Sequence, residues 1–226
     1  MFTDFFLKKQ FKKILVSVLV AWFACVACFT GKICNTVAVN VDKQFYFLVS
    51  PSMHIQASTH FVEWSGGAGY LLKAKKQEYV AYAVYLSKDE GVAAQTSTAN
   101  EETQLLSFSV KKLYFNKQTT DRYIKRIKGA FESFYGCLLV LDGGIDNLSH
   151  NGTQEDIKNI LLVLQKQFDF LSQEYKNIFS EYAIICKKAT EAVGGLLCGT
   201  IFLKDLRYLL CELCVNYIDL SKVFAI

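Results

Sequence analysis

Eighteen consecutive residues without a charge, Ile14 to Gly31, follow four lysines at Lys8, Lys9, Lys12 and Lys13. No other feature of the chain narrows its architecture as much. At the rise of an α-helix such a run is about 27 Å long, close to the thickness of a bilayer's hydrocarbon core. It contains no Pro, and its most polar members are Ser17 and Thr30. A helix would therefore satisfy every backbone group in lipid. The lysines ahead of the run outweigh Lys32 and Lys43 after it, which orients the N-terminus to the cytoplasm. The sequence thus predicts a basic cytoplasmic tail over 1–13 and a transmembrane helix over 14–33. The remainder would be extracytoplasmic, giving a single-pass protein of the cell membrane. A cleaved signal peptide is the alternative. Ala24-Cys25-Val26 and Ala27-Cys28-Phe29 do not form a clean small-x-small cleavage site, so retention as an anchor is the reading adopted.

Charge excludes one class of partner. Residues 1–33 hold five lysines and Asp4, so they account for the whole net charge of +4. The rest of the chain is neutral and carries no basic footprint for nucleic acid. Eight cysteines are present. Outside the apolar run and its flank they are Cys137, Cys186, Cys198, Cys211 and Cys214, an odd set that does not read as a disulfide framework. Burial as small hydrophobes is expected for them.

Two regions of different periodicity follow. Phe45-Tyr46-Phe47-Leu48-Val49 is aromatic and β-branched and stops at Ser50-Pro51, as a strand does. A short helix with Ile55, Phe61, Val62 and Trp64 as apolar contacts should close at Gly66-Gly67. Strands are expected over Ala68 to Ala74, Glu78 to Leu86 and Gln104 to Val110. Ser87 and Glu90 have the spacing of a capping box that opens a second helix. The order is β-α-β-β-α-β, the split-βαβ or ferredoxin-like arrangement, placed in a domain over 34–118.

From Thr120 the period is helical. Ile124 to Leu148, Ile157 to Ala189 and Leu203 to Phe224 each carry apolar residues at alternating spacings of three and four. Three such seams predict an antiparallel three-helix bundle over 119–226. Thr153 with Asp156 resembles a capping box. The expected class is therefore α+β: a transmembrane helix, a split-βαβ domain and an all-α three-helix bundle.

Motifs for chemistry are sparse. His54 and His60 are six apart, off the spacing of a helical metal pair, and His150 stands alone. Cys211-Glu212-Leu213-Cys214 falls inside a helix, whereas a redox pair of this form sits at a helix N-terminus, where the dipole lowers the thiol pKa. Asp142 and Asp146, at helical spacing, read as solvated surface rather than as an acid/base pair. No nucleophile elbow or phosphate-binding loop occurs. No catalytic residue, metal site or cofactor is expected, and the chain reads as a non-catalytic binding protein.

The α+β block, about residues 44–115, resembles a SPOR domain. The likeness is carried by Phe45-Tyr46-Phe47-Leu48-Val49-Ser50 as the opening strand, Ala57 in the first helix and the turn Gly66-Gly67-Ala68-Gly69-Tyr70. Glu78 to Leu86, leading into Ser87-Lys88-Asp89-Glu90-Gly91-Val92-Ala93, matches the family's second strand-to-helix passage. Leu48 and Ser50 stand where the family usually has Gln and Gly, and the family tends to place the domain at the C-terminus. The resemblance implies non-catalytic binding of peptidoglycan glycan strands in a bacterial envelope, linked to division or sporulation. Strand alternation adds a physical expectation. Phe45, Phe47, Val49, Val80, Val84 and Leu86 should face the two helices of the block. Tyr46, Ser50, Tyr79 and Tyr85 should share the opposite, open face as a glycan platform. The alternative is a protein-interaction module, in which these tyrosines pack against the bundle and the bundle's helices pair with another envelope protein.

Overall fold

The computed structural model describes residues 36–51, 55–74, 77–98 and 103–225. In chain order the elements are β1 (Thr36–Pro51), α1 (Ile55–Trp64), β2 (Tyr70–Ala74), β3 (Gln77–Tyr85), α2 (Lys88–Ser97), β4 (Gln104–Asn116), α3 (Asp121–His150), α4 (Gln154–Tyr175), α5 (Ser180–Leu197) and α6 (Leu203–Lys222). The four strands form one sheet in the order β2-β3-β1-β4, every pair antiparallel. The β-α-β-β-α-β order is thus present as a split-βαβ sheet. β1 begins at Thr36 rather than Phe45, because Val37, Val39 and Val41 continue the apolar alternation, and Val37 and Val39 pair with Phe115 and Leu113 at the extended end of β4. Asp42, with φ of 49°, marks the irregularity in that long ribbon.

The membrane architecture is corrected. No helix among the described residues is long and apolar enough to cross a membrane. Each long helix instead buries one stripe and keeps a charged face, as α3 does with Lys125, Arg126, Lys128 and Glu132. The tail over 1–13 and the span over 14–33 lie outside the described residues. The single-pass anchor, and the membrane localisation built on it, have no candidate span among the described residues.

The three-helix bundle is corrected too, to four helices. The seam from Ile157 to Ala189 is interrupted after Tyr175, and the chain turns through Lys176–Phe179. It then folds back, so that α5 runs antiparallel to α4. Tyr175 meets Tyr182 with ring centroids 5.1 Å apart. At the far end the Gln154 side chain donates to the Ile201 carbonyl at 2.9 Å and accepts from the Ile201 amide at 3.1 Å. Spacings of three and four persist across the turn because Ile178 and Phe179 also point into the core, which hides the break from a periodicity reading. Thr153 and Asp156 do form the capping box that opens α4.

A single hydrophobic core runs from the sheet through the helices. Phe45, Phe47 and Val49 point into it from β1, while Ile127, Phe131, Phe134, Leu138 and Leu141 point into it from α3. α6 joins the two layers. Its Tyr217 ring lies 5.4 Å from Phe45, 5.1 Å from Phe131, 6.0 Å from Phe134 and 6.2 Å from Tyr135. On the other face of the sheet α2 approaches closely at buried Gly91, where a Cβ would sit 3.3 Å from that of Tyr46 and 3.2 Å from Leu105.

The Tyr217 hydroxyl is buried and, among the described residues, is the side-chain polar atom left without a hydrogen-bond partner. An unmade hydrogen bond of this kind costs about 1–3 kcal/mol. Tyr217→Phe is therefore expected to hold or raise stability by about 1 kcal/mol, whereas Tyr217→Ala, which empties the aromatic junction, should lose about 3–5 kcal/mol. Urea denaturation of the two variants checks both signs.

Candidate binding groove

The groove follows from two local facts about β3. β2 is short and stops at Tyr70 opposite Ala81, so Tyr82 to Tyr85 have no strand on that side. Along β1 the register then jumps. Leu48 pairs with Ala83 but Val49 pairs with Ala81, leaving Tyr82 as the extra residue. Such an irregularity breaks alternation and re-aims a side chain. Here it directs Tyr82 to the same side as Ala83 and Tyr85, where all three line one cleft.

The same jump rearranges the expected tyrosine platform. Tyr46 pairs with Tyr85 and Ser50 with Val80 on the face covered by α1 and α2. Tyr79 pairs with Pro51 and joins the core on the opposite face with Ala81 and Val84. Phe45, Phe47 and Val49 face the C-terminal helices, not α1 and α2. Tyr46 and Tyr79 are each 8 % exposed, and their hydroxyls donate to the neighbouring Gln44 and Gln77 side chains, the latter at 2.6 Å. Ser50 is half-buried. Of the four residues, Tyr85 lines the open groove. Tyr82, Arg207 and Asp142 were not legible as groove residues. The signal for Tyr82 would have been the shortness of β2, and Arg207 comes from a helix more than a hundred residues away.

The wider half of the groove, about 650 Å³, has Leu48, Ala83 and Tyr82 along the strands, with Ser97 and Thr98 from the end of α2. Gly67 forms the opposite wall. A Cβ there would fall 2.6 Å from Val62 Cγ1 and 3.0 Å from the Val62 carbonyl oxygen, so only glycine lets the turn close onto α1. The turn is held by the Ala68 amide donating to the Tyr82 carbonyl at 2.7 Å. It is also held by Arg207 of α6, whose Nη1 donates to the Gly66 carbonyl at 2.7 Å. Trp64, expected as a core contact of α1, is instead 90 % exposed at the end of that helix.

Arg207 and Tyr85 also line a narrower half of about 410 Å³, beside Glu90, Asp142, Asp146 and His150. The side chain of Ser87 makes no cap bond at the start of α2, so Glu90 is not engaged in a capping box and lines this cleft. Burial, then the nearby charges of Glu90 and Asp146, push the Asp142 carboxyl up to about 6. Tyr85 is raised by burial, opposed by the positive charge of Arg207. His150 lies 3.2 Å from Asp146 at the solvent edge.

The cysteines do not contribute. Cys137, Cys186, Cys211 and Cys214 are buried free thiols, whereas Cys198, expected to be buried with them, is exposed at the end of α5. Burial pushes Cys137 and Cys186 up to about 12 and raises Cys211 and Cys214 as well, the reverse of an activated thiolate. No cluster of three metal-ligating side chains occurs among the described residues. His60 is exposed beside Glu63, and His54 lies outside the described residues.

No family model, curated protein or solved structure matches this chain. The resemblance to SPOR domains rests on the residues quoted for it and on the element order.

Asp142 gives a pH-dependent stability. Its folded pKa lies above the unfolded value, so its stabilising effect is full below about pH 4 and is lost as pH rises through about 6. Asp142→Asn keeps the shape without the charge. It should be more stable than the parent by about 1 kcal/mol at about pH 8, after allowance for solvent screening, with the difference vanishing near pH 4. Thermal melts across that range test the sign.

Proposed function

We propose that this chain is a non-catalytic saccharide-binding protein that holds a glycan strand in the groove along the free edge of β3. Peptidoglycan glycan strands are the ligand, as the SPOR resemblance implies. One observation carries the reading: the register jump places Tyr82 and Tyr85 in a single open cleft beside Ser65, Ser97 and Thr98. Flat amphipathic rings suit the apolar faces of sugars, and the Ser65, Ser97 and Thr98 hydroxyls, which donate to the Val62 and Ala94 carbonyls, keep oxygens open to accept from sugar hydroxyls. The contact residues differ from those expected of a flat tyrosine platform, because Tyr46 and Tyr79 are buried on opposite faces of the sheet.

Cosedimentation of the full chain with peptidoglycan, before and after amidase removal of the stem peptides, tests the proposal. Binding should rise on stripping. Tyr82→Ala combined with Tyr85→Ala should weaken it about tenfold or more, while Tyr46→Phe and Tyr79→Phe leave it unchanged. Absence of binding to either preparation would refute the proposal.

A second reading, protein interaction through the helical half, is favoured by Val163 and Phe170. These lie seven residues apart on α4 and are 62 % and 58 % exposed. A photo-crosslinking residue placed at Phe170 should then form a protein adduct in cells, and one placed at buried Phe168 should not.

A further inference from the structure

The two halves of the groove differ in charge. In the wider half Arg207 is the single charged residue among the described residues, set among Leu48, Tyr82, Ser97 and Thr98. Its guanidinium spends one donor on the Gly66 carbonyl. It forms no ion pair with any carboxylate of the described residues. A half-buried guanidinium with open donors and no counter-ion among the described residues is a planar fork suited to a carboxylate. The acids that could have neutralised it, Glu90 and Asp142, line only the narrower half, with Tyr85 and Arg207 on the wall common to both. Those acids disfavour ligand charge in the narrower half. A carboxylate borne on a hydroxyl-rich body meets no such repulsion in the wider half.

We propose that the groove selects an acidic saccharide, and that Arg207 seats a sugar-borne carboxylate in the wider half. This rests on the groove-binding reading above and names its ligand class. Arg207 is then the specificity-determining residue, and Tyr82 and Tyr85 supply contact that does not depend on ligand charge.

The test compares peptide-stripped glycan strands, whose muramic residues each expose a lactyl carboxylate, with the same strands amidated by carbodiimide and ammonia. Binding to the full chain is measured by calorimetry. Intact strands should bind about tenfold or more tightly than amidated ones. That advantage should shrink as salt rises from about 0.05 to about 0.5 M. Arg207→Gln should abolish it, and Arg207→Lys, which keeps the charge but loses the fork, should retain only part. Equal binding of the two preparations overturns the carboxylate assignment and leaves the groove reading standing. No binding of either overturns both. Should Arg207→Gln loosen the turn at Gly66, the comparison of the two ligands on the unaltered chain still decides.

Discussion

The packing of α6 between the sheet and α3 is the constraint on which the rest of the structure depends. Tyr217 closes an aromatic junction with Phe45 of β1 and with Phe131, Phe134 and Tyr135 of α3. Tyr208 of the same helix packs edge-on against Tyr70 of β2, with centroids 5.3 Å apart. Aromatic pairs in these geometries add to the apolar area they bury. Their effect here is architectural: they fix the rotation and height of α6, and with them the place where Arg207 emerges.

From that placement the groove follows. Arg207 leaves α6 where β2 has already ended, passes the free edge of β3 and reaches the carbonyl of Gly66. It thereby ties the turn after α1 to a helix at the far end of the chain. The acids of α2 and α3 collect on the other side of Tyr85, where limited solvent raises the Asp142 carboxyl. A cleft with Arg207 on the wall between its halves and the acids in only one of them arises from elements that are distant in sequence.

Much of the fold was legible residue by residue. The β-branched and aromatic run at Phe45–Val49, the turn glycines Gly66 and Gly69 with their positive φ, and the Thr153–Asp156 capping box are local signals read by local rules. The turn after Tyr175 was not legible, because Ile178 and Phe179 preserve the apolar spacing through it. Tyr79, Val80 and Ala81 were assigned to the wrong face relative to β1, because one extra residue at Tyr82 exchanges inward and outward positions without disturbing the composition of the strand. Trp64 fitted a helical stripe by spacing yet lies in solvent, since none of the described residues packs over it at the end of α1.

The sequence by itself determined the α+β class of the described region, the order of strands and helices to α3, the neutrality of the chain beyond residue 33 and the burial of four of its cysteines. Each of these depends on local periodicity, propensity or composition. The tertiary structure alone decided that the C-terminal half has four helices and that its core is continuous with the sheet. It also decided that Tyr82, Tyr85 and Arg207 meet around one groove. The physical reason is common to all three: side-chain packing between distant elements sets register and rotation, and a single-residue shift in either moves a side chain from core to cleft while the local pattern stays the same.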